Sequence, residues 1–358
     1  SVGFKLILLS TGHYLLLGEL FVMGDLLKEC CEVLNALHHN EDNHVKQQAN
    51  QWLMDFQVKP HAWEVCDQIL KNPSLPLQAH WFAATTLRFK VAYDFHQIPP
   101  QHHLSFRDSL FGHVQKFSTD GPAMVTRYLA LTAATLFVHL SNGTESRELP
   151  NKWKDGLEAI SQTLGQSQNT AITLLLILTY VPEECVSKKI VVDKEQKHRA
   201  LRELAAFSGK VLEILTAYSN SAGNNSDLQQ KVLTCFDSWV KYGDLPMSEL
   251  PRCVLFSRAF DCLHVEDLFD TAADVIVDMV RMCEGPSKHP TLSQALIPRV
   301  LQLEEMLAKH IQNDDVVDKI ALVVIETAEV YCNWVDQGSK EAMELLKFML
   351  KISSHGNK

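Results

Sequence analysis

Apolar residues recur at intervals of three and four along almost the whole chain. Leu26, Cys30, Val33, Leu34 and Leu37 form one stripe; Phe106, Leu110, Val114 and Phe117 form another. Trp153, Leu157, Ile160 and Leu164 make a third, followed by Leu228, Val232, Cys235 and Trp239, then by Leu268, Ala272, Val275, Ile276 and Met279. Such spacing gathers each set on one face of a helix. No convincing alternation of apolar and polar residues, the mark of a strand, interrupts it.

The breaks between stripes are short and polar. Asn40-Glu41-Asp42-Asn43, Asn72-Pro73-Ser74, Pro99-Pro100, Asp120-Gly121-Pro122, Ser141-Asn142-Gly143, Gly243-Asp244, Gly285-Pro286-Ser287 and Asn313-Asp314 all carry helix stoppers or caps. Helices of about 12 to 20 residues therefore follow one another, and taken in pairs they recur roughly every 40 residues, the HEAT or armadillo period. The expected pairs are 25–57, 60–95, 100–140, 150–181, 195–241, 247–284 and 290–336, with an unpaired helix at 338–353. The predicted fold is all-α: an α-α superhelix, a HEAT/armadillo-like solenoid of about seven pairs and one extra helix. A single helix pair cannot bury its apolar face, so neighbours must stack and share one continuous core. The longer linkers, Glu183 to Lys197 and Ser219 to Ser226, do not interrupt the pattern.

Composition narrows the function. A net charge of −10 disfavours general nucleic-acid binding, because phosphates need compensating Lys and Arg. It suits a basic partner. Nine scattered cysteines with no C-x-x-C argue against a disulfide framework or a zinc site, and for reduced, buried thiols in the cytosol or nucleus. No Gly-rich phosphate loop, G-x-S-x-G or H-E-x-x-H occurs, so no catalytic residue, metal site or cofactor is expected, and the chain reads as a non-enzyme. Cys30-Cys31 and His38-His39 are poor chelating pairs, since adjacent helical residues point to different sides. The six tryptophans are expected within helices, mostly as packing, with one or two available as partner contacts.

One feature stands out. Glu266, Asp270, Asp274 and Asp278 are spaced by four, with Asp267 beside them, and form an acidic ridge away from the apolar face. The next second helix carries Asp314, Asp315, Asp318, Glu326 and Glu329. The ridge is either a solvated helix face or a docking surface for a basic partner.

Residues 1–22 hold apolar clusters broken by Lys5, His13 and Glu19, too interrupted for a membrane span. With Met23-Gly24-Asp25 just ahead of the first clean amphipathic helix, residues 1–22 are expected to be an extension outside the fold, with Met23 the natural start.

From Met23 onward the residues resemble nuclear transport receptors of the transportin-SR and importin-13 type, in the importin-β superfamily. Val33-Leu34-Asn35-Ala36-Leu37, Ala49-Asn50-Gln51-Trp52-Leu53, His61-Ala62-Trp63-Glu64 with Asp67-Gln68-Ile69-Leu70, and Phe82-Ala83-Ala84-Thr85-Thr86-Leu87 with Lys90 carry the likeness. Arg107-Asp108-Ser109-Leu110, Val181-Pro182-Glu183-Glu184 and Ser238-Trp239 extend it to about residue 245. The resemblance implies a protein that binds cargo, passes nuclear pores by contacting nucleoporins, shuttles between nucleus and cytoplasm, and responds to the small GTPase Ran in its GTP form. It implies neither direct nucleic-acid binding nor membrane insertion. Residues 23–140 would be the Ran-binding region, with contacts on 44–57, 77–94 and 122–140; residues 141–358 would continue the same solenoid. Trp52 and Lys90, then Arg88 and Arg127, are the expected Ran contacts. Arginine/serine-rich proteins would be the cargo, and the acidic ridge would suit either Ran or such cargo. Because family members are more than twice as long, the chain is expected to be a truncated stack that self-associates through its exposed apolar end.

Overall fold

The computed structural model describes residues 16–144, 149–165, 167–283, 288–335 and 340–355. Among them the fold is all-α, built from stacked helical hairpins of the HEAT kind, with one isolated bridge between Ser141 and Trp153. The chain divides into two compact units, one ending at Glu203 and the other starting at Leu204.

The first unit contains α1 (Leu16–His39), α2 (Asn43–Gln57), α3 (Ala62–Lys71), α4 (Leu77–Tyr93), α5 (His103–Asp120), α6 (Ala123–Leu140), α7 (Gly156–Leu164), α8 (Gln168–Val186) and the start of α9 (Lys194–Ser221). The breaks act as anticipated. Asp42 caps α2 by accepting the His44 N–H at 2.8 Å. Pro76 and Pro122 stand immediately ahead of α4 and α6. Gly121 lies so close to the backbone of Phe117 that a Cβ there would collide, which lets α5 turn into α6 within two residues. The first helix starts at Leu16, not at Asp25, so it begins inside the segment expected to lie outside the fold.

Two elements differ from the sequence reading. Trp153 lies ahead of α7 rather than within it. Asn151 and Asp155 take left-handed backbone angles that no helix tolerates, and the Trp153 N–H donates to the Leu140 carbonyl at 2.6 Å. The linker expected over Glu183 to Lys197 is shorter, because α8 runs on through buried Glu184 and Cys185 to Val186.

The centre of the unit is a row of second helices, with α6 packed between α4 and α8. Their contact surfaces are built from small residues. Ala83, Ala84, Thr86, Ala130, Thr132, Ala133, Ala134 and Thr135 are wholly buried. Small side chains let helix axes approach closely, and Thr132 spends its hydroxyl on the Tyr128 carbonyl four residues back. By length and composition α6 could cross a membrane, yet 72% of it is buried inside the protein. Its apolar character is that of a core helix.

The second unit holds the rest of α9, then α10 (Ser226–Tyr242), α11 (Val254–Cys262), α12 (Phe269–Met282), α13 (Pro290–Leu301), α14 (Leu303–Lys309), α15 (Asp314–Val335) and α16 (Lys340–His355). Asn225 caps α10 through the Leu228 N–H. Again the second helices adjoin: α12 packs between α10 and α15.

Burial fixes one titration in the first unit. His139 on α6 is packed against the Phe95 ring at 4.5 Å, with its Nε2 atom buried and unpartnered. Burial pulls its pKa from 6.5 down to about 4, against the pull of a hydrogen bond to the Val91 backbone. A lowered histidine pKa means that the native state binds fewer protons. Its stabilising contribution is complete above the unfolded pKa and declines as pH falls toward 4. Between pH 7 and pH 5 this one residue should cost about 2 kcal/mol. Urea unfolding at both pH values should therefore show a pH penalty smaller by that amount in His139→Gln than in the parent; equal penalties would contradict the assignment.

Candidate partner-binding faces

In the first unit, two of the four residues expected to meet Ran, Lys90 and Arg88, turn out to hold the helices together. Lys90 is wholly buried. Its ammonium donates to the Gln57 carbonyl at 3.2 Å, to Asp94 at 3.2 Å and to Gln97 at 2.9 Å, and lies 5.1 Å from the centre of the Trp63 ring. Burial lowers its pKa, opposed by Asp94. It joins α2 to α4 and cannot reach a partner, which corrects the expectation from sequence. Arg88 is also corrected. Its guanidinium reaches from α4 to Glu184 on α8 in a two-pronged contact at 2.9 and 3.0 Å. Thr135, on α6 between them, donates to the same carboxylate at 2.7 Å. With side-chain exposures of 16% and 10%, this pair is a structural clamp. Trp52 is half-buried and stacked on Phe56 at 5.2 Å. Arg127 is exposed, and its Nε donates to the Tyr180 hydroxyl at 3.0 Å.

The clamp also fixes a register. Arg88, Thr135 and Glu184 meet, so successive turns of three or four residues back along α4, α6 and α8 reach neighbouring positions. One turn back lie Thr85, Leu131 and Tyr180, all partly exposed. Two turns back lie Trp81, Tyr128 and Leu176. Three turns back lie Leu77, Met124 and Ile172, exposed by 49%, 55% and 38%. The second helices thus present an apolar, aromatic face that sequence reasoning missed. Its signal was present: Leu77, Trp81, Met124 and Ile172 are large apolar residues off the core stripe. Exposed apolar surface of this extent marks interaction sites.

A buried polar cluster stands behind this row. Asp67 on α3 accepts from Ser109 at 2.6 Å, lies 2.8 Å from the His113 Nε2 and pairs with Lys71. Burial alone would raise its pKa; the hydrogen bonds outweigh burial and hold it below the ordinary value. Since these groups satisfy one another, the cluster joins α3 to α5 rather than awaiting a ligand.

In the second unit the carboxylates of the expected acidic ridge fall into two groups, buried and exposed. Asp278 is buried and accepts from Lys241 at 2.7 Å, while Asp237 accepts from the same lysine at 2.6 Å. Burial pushes the Asp237 pKa up to about 6, with Lys241 opposing and Asp278 adding to the rise. Asp278 therefore leaves the ridge: it belongs to a polar contact between α10 and α12. Glu266 and Asp267 sit in the 3-10 turn before α12. Cross-helix links recur at each turn. Gln230 meets Thr271 at 3.4 Å, Lys319 reaches Asp274 at 2.9 Å and Asp270 at 3.7 Å, and Arg281 pairs with Glu326. Glu266, Asp267, Asp270, Asp274, Asp314, Asp315, Asp318 and Glu329 remain exposed. These eight exposed carboxylates outnumber the cations paired on this face, Lys319 and Arg281, which leaves it an acidic surplus.

Known proteins match in the same regions. The importin-beta N-terminal domain family covers residues 49–116, and the Exportin 1-like protein family covers 122–276. Both matches point to likeness with transport receptors of the importin-β superfamily. Transportin MOS14 of Arabidopsis thaliana is 27% identical over 332 residues, which is 90% of this chain and 33% of that protein. Importin-13 of Mus musculus is 28% identical over 290 residues, 79% of this chain and 28% of that protein. The chain thus spans about a third of the length of the curated relatives it matches.

The clamp in the first unit is testable by stability. Arg88→Ala should cost roughly 3 kcal/mol, because it strands Glu184 in the interior. The double replacement Arg88→Leu with Glu184→Leu should recover most of that loss. Urea unfolding of the three proteins measures this; an Arg88→Ala protein as stable as the parent would return Arg88 to the pool of free surface contacts.

Proposed function

We propose that this chain is the partner-binding part of a nuclear transport receptor. Its first unit docks the small GTPase Ran in the GTP form, and its second unit engages the basic surface of cargo or of Ran itself. Likeness to the importin-β superfamily supports this, with the importin-beta N-terminal domain match falling on α2 to α5. The observation that carries the assignment to particular residues is the exposed apolar row on α4, α6 and α8. Leu77, Trp81, Met124 and Ile172 are bulky and solvent-facing. Aromatic and methionine side chains of this kind make the anchors of protein interfaces. Arg127 on α6 and Trp52 on α2 are proposed as further contacts. The exposed carboxylates of α12 and α15 favour a positively charged partner. Passage through nuclear pores by way of nucleoporins, shuttling between nucleus and cytoplasm, and arginine/serine-rich cargo complete the reading by family likeness. Nothing in it calls for a catalytic group.

A second direction of transport has one observation in its favour: the Exportin 1-like match over 122–276. Adding GTP-loaded Ran to a cargo complex separates the two. An importer releases cargo, whereas an exporter binds it more tightly.

The docking face has its own test. The parent chain and a Trp81→Ala, Met124→Ala double variant would be titrated with Ran loaded with a non-hydrolysable GTP analogue or with GDP. The parent should prefer the GTP form, and the variant should lose roughly tenfold or more of that affinity. A parent chain that binds neither form would overturn the proposal and leave a HEAT scaffold without Ran binding.

A further inference from the structure

The exposed side of α15 carries a pattern that neither the core nor the ion pairs use. Its core side holds Ile320, Val323, Val324, Thr327, Ala328 and Tyr331, all buried. One flank, with Lys319 and Glu326, faces α12. On the solvent side stand Asp315, Asp318, Leu322, Ile325 and Glu329. Their separations alternate three, four, three and four, so the five share one face of the helix and form a seam along it. Leu322 and Ile325 are exposed by 38% and 43%, one turn apart, in the middle of the seam. Carboxylates close it at both ends, and exposed Asp270 on neighbouring α12 adds to the field.

We infer that this seam receives an α-helix from a partner protein, with Lys or Arg at the two ends of its contact stripe and Leu or Ile at its centre. The proposal rests on the reading of the acidic face as a docking surface, and it adds the shape of what docks. Charge selects the sign of the partner: its cations meet Asp315 and Asp318 at one end and Glu329 at the other. The apolar centre selects its conformation. Two apolar side chains one helical turn apart match a facing helix with the same repeat, whose knobs fall beside them. An extended arginine-rich segment advances about twice as far per residue and meets the carboxylates without filling the centre. The exposed apolar pair would then stay in water.

Three synthetic peptides of about 20 residues separate these cases by fluorescence anisotropy with the full 358-residue chain. The first is an alanine-based helix with Arg at both ends of one stripe and two Leu at its centre. The second has the same composition, with the leucines moved to the opposite face. The third is an alternating Arg/Ser peptide of equal charge. The first should bind roughly tenfold more tightly than either of the others. Leu322→Ser with Ile325→Ser should remove that advantage and leave the other two affinities unchanged. Both residues face solvent, so the variant should keep the parent's circular dichroism and melting temperature. Equal binding of all three peptides, weakened together by Asp270→Lys with Asp274→Lys, would overturn the helix seam while the acidic docking face stands. No binding by any of them would sink both.

Discussion

The first unit depends on how closely α4, α6 and α8 can lie side by side. That closeness comes from alanine and threonine at the contact, because larger residues would push the axes apart and open the core. It has a polar consequence. Helices so near one another let an arginine on the first reach a carboxylate on the third, past a threonine on the one between. The clamp costs desolvation, which its paired geometry and the Thr135 hydrogen bond offset. Once the three helices are fixed in register, their outward positions fall into rows, and the apolar residues in those rows become one surface. The binding face is thus a by-product of packing: the small residues on one side of each helix set the spacing of the large residues on the other.

The second unit solves the same problem with charge. Its second helices are linked turn by turn through Lys241, Lys319 and Arg281, each shared between carboxylates. Lys241 lies between Asp237 and Asp278, and the buried member of that group is the Asp278 carboxylate. Each cation is committed to a link between helices, so the carboxylates further out keep an uncompensated field. The two units therefore offer partners different chemistry. One is apolar and aromatic, the other acidic around a short apolar centre.

The fold was legible because it depends on local periodicity and on stoppers that act where they stand. Asp42, Pro76, Gly121, Pro122 and Asn225 end or start helices for reasons contained in a few residues. The candidate site was less legible, because exposure is a long-range property. Lys90 reads as a surface residue on any helix, and its burial follows from Gln57, Asp94 and Gln97 converging on it from three segments. Arg88 is spoken for by a residue 96 positions away. Asp278 shares the spacing of the ridge, yet faces Lys241 across a helix boundary that spacing does not show. Trp153 fits a helical stripe in sequence, but left-handed backbone angles at Asn151 and Asp155 keep it outside α7. The acidic surplus of the second unit, by contrast, is a property of composition along a single face and needs no knowledge of distant contacts.

The central claim is that the solvent-facing sides of the second helices are where this chain captures other proteins. Hydrogen–deuterium exchange of the chain with Ran, read peptide by peptide, tests it most directly. The account predicts slowed exchange in α4, α6 and α8 on adding Ran in the GTP form, and little change with the GDP form. Protection confined to α3, α5 and α7, or the same pattern with both nucleotides, would contradict it.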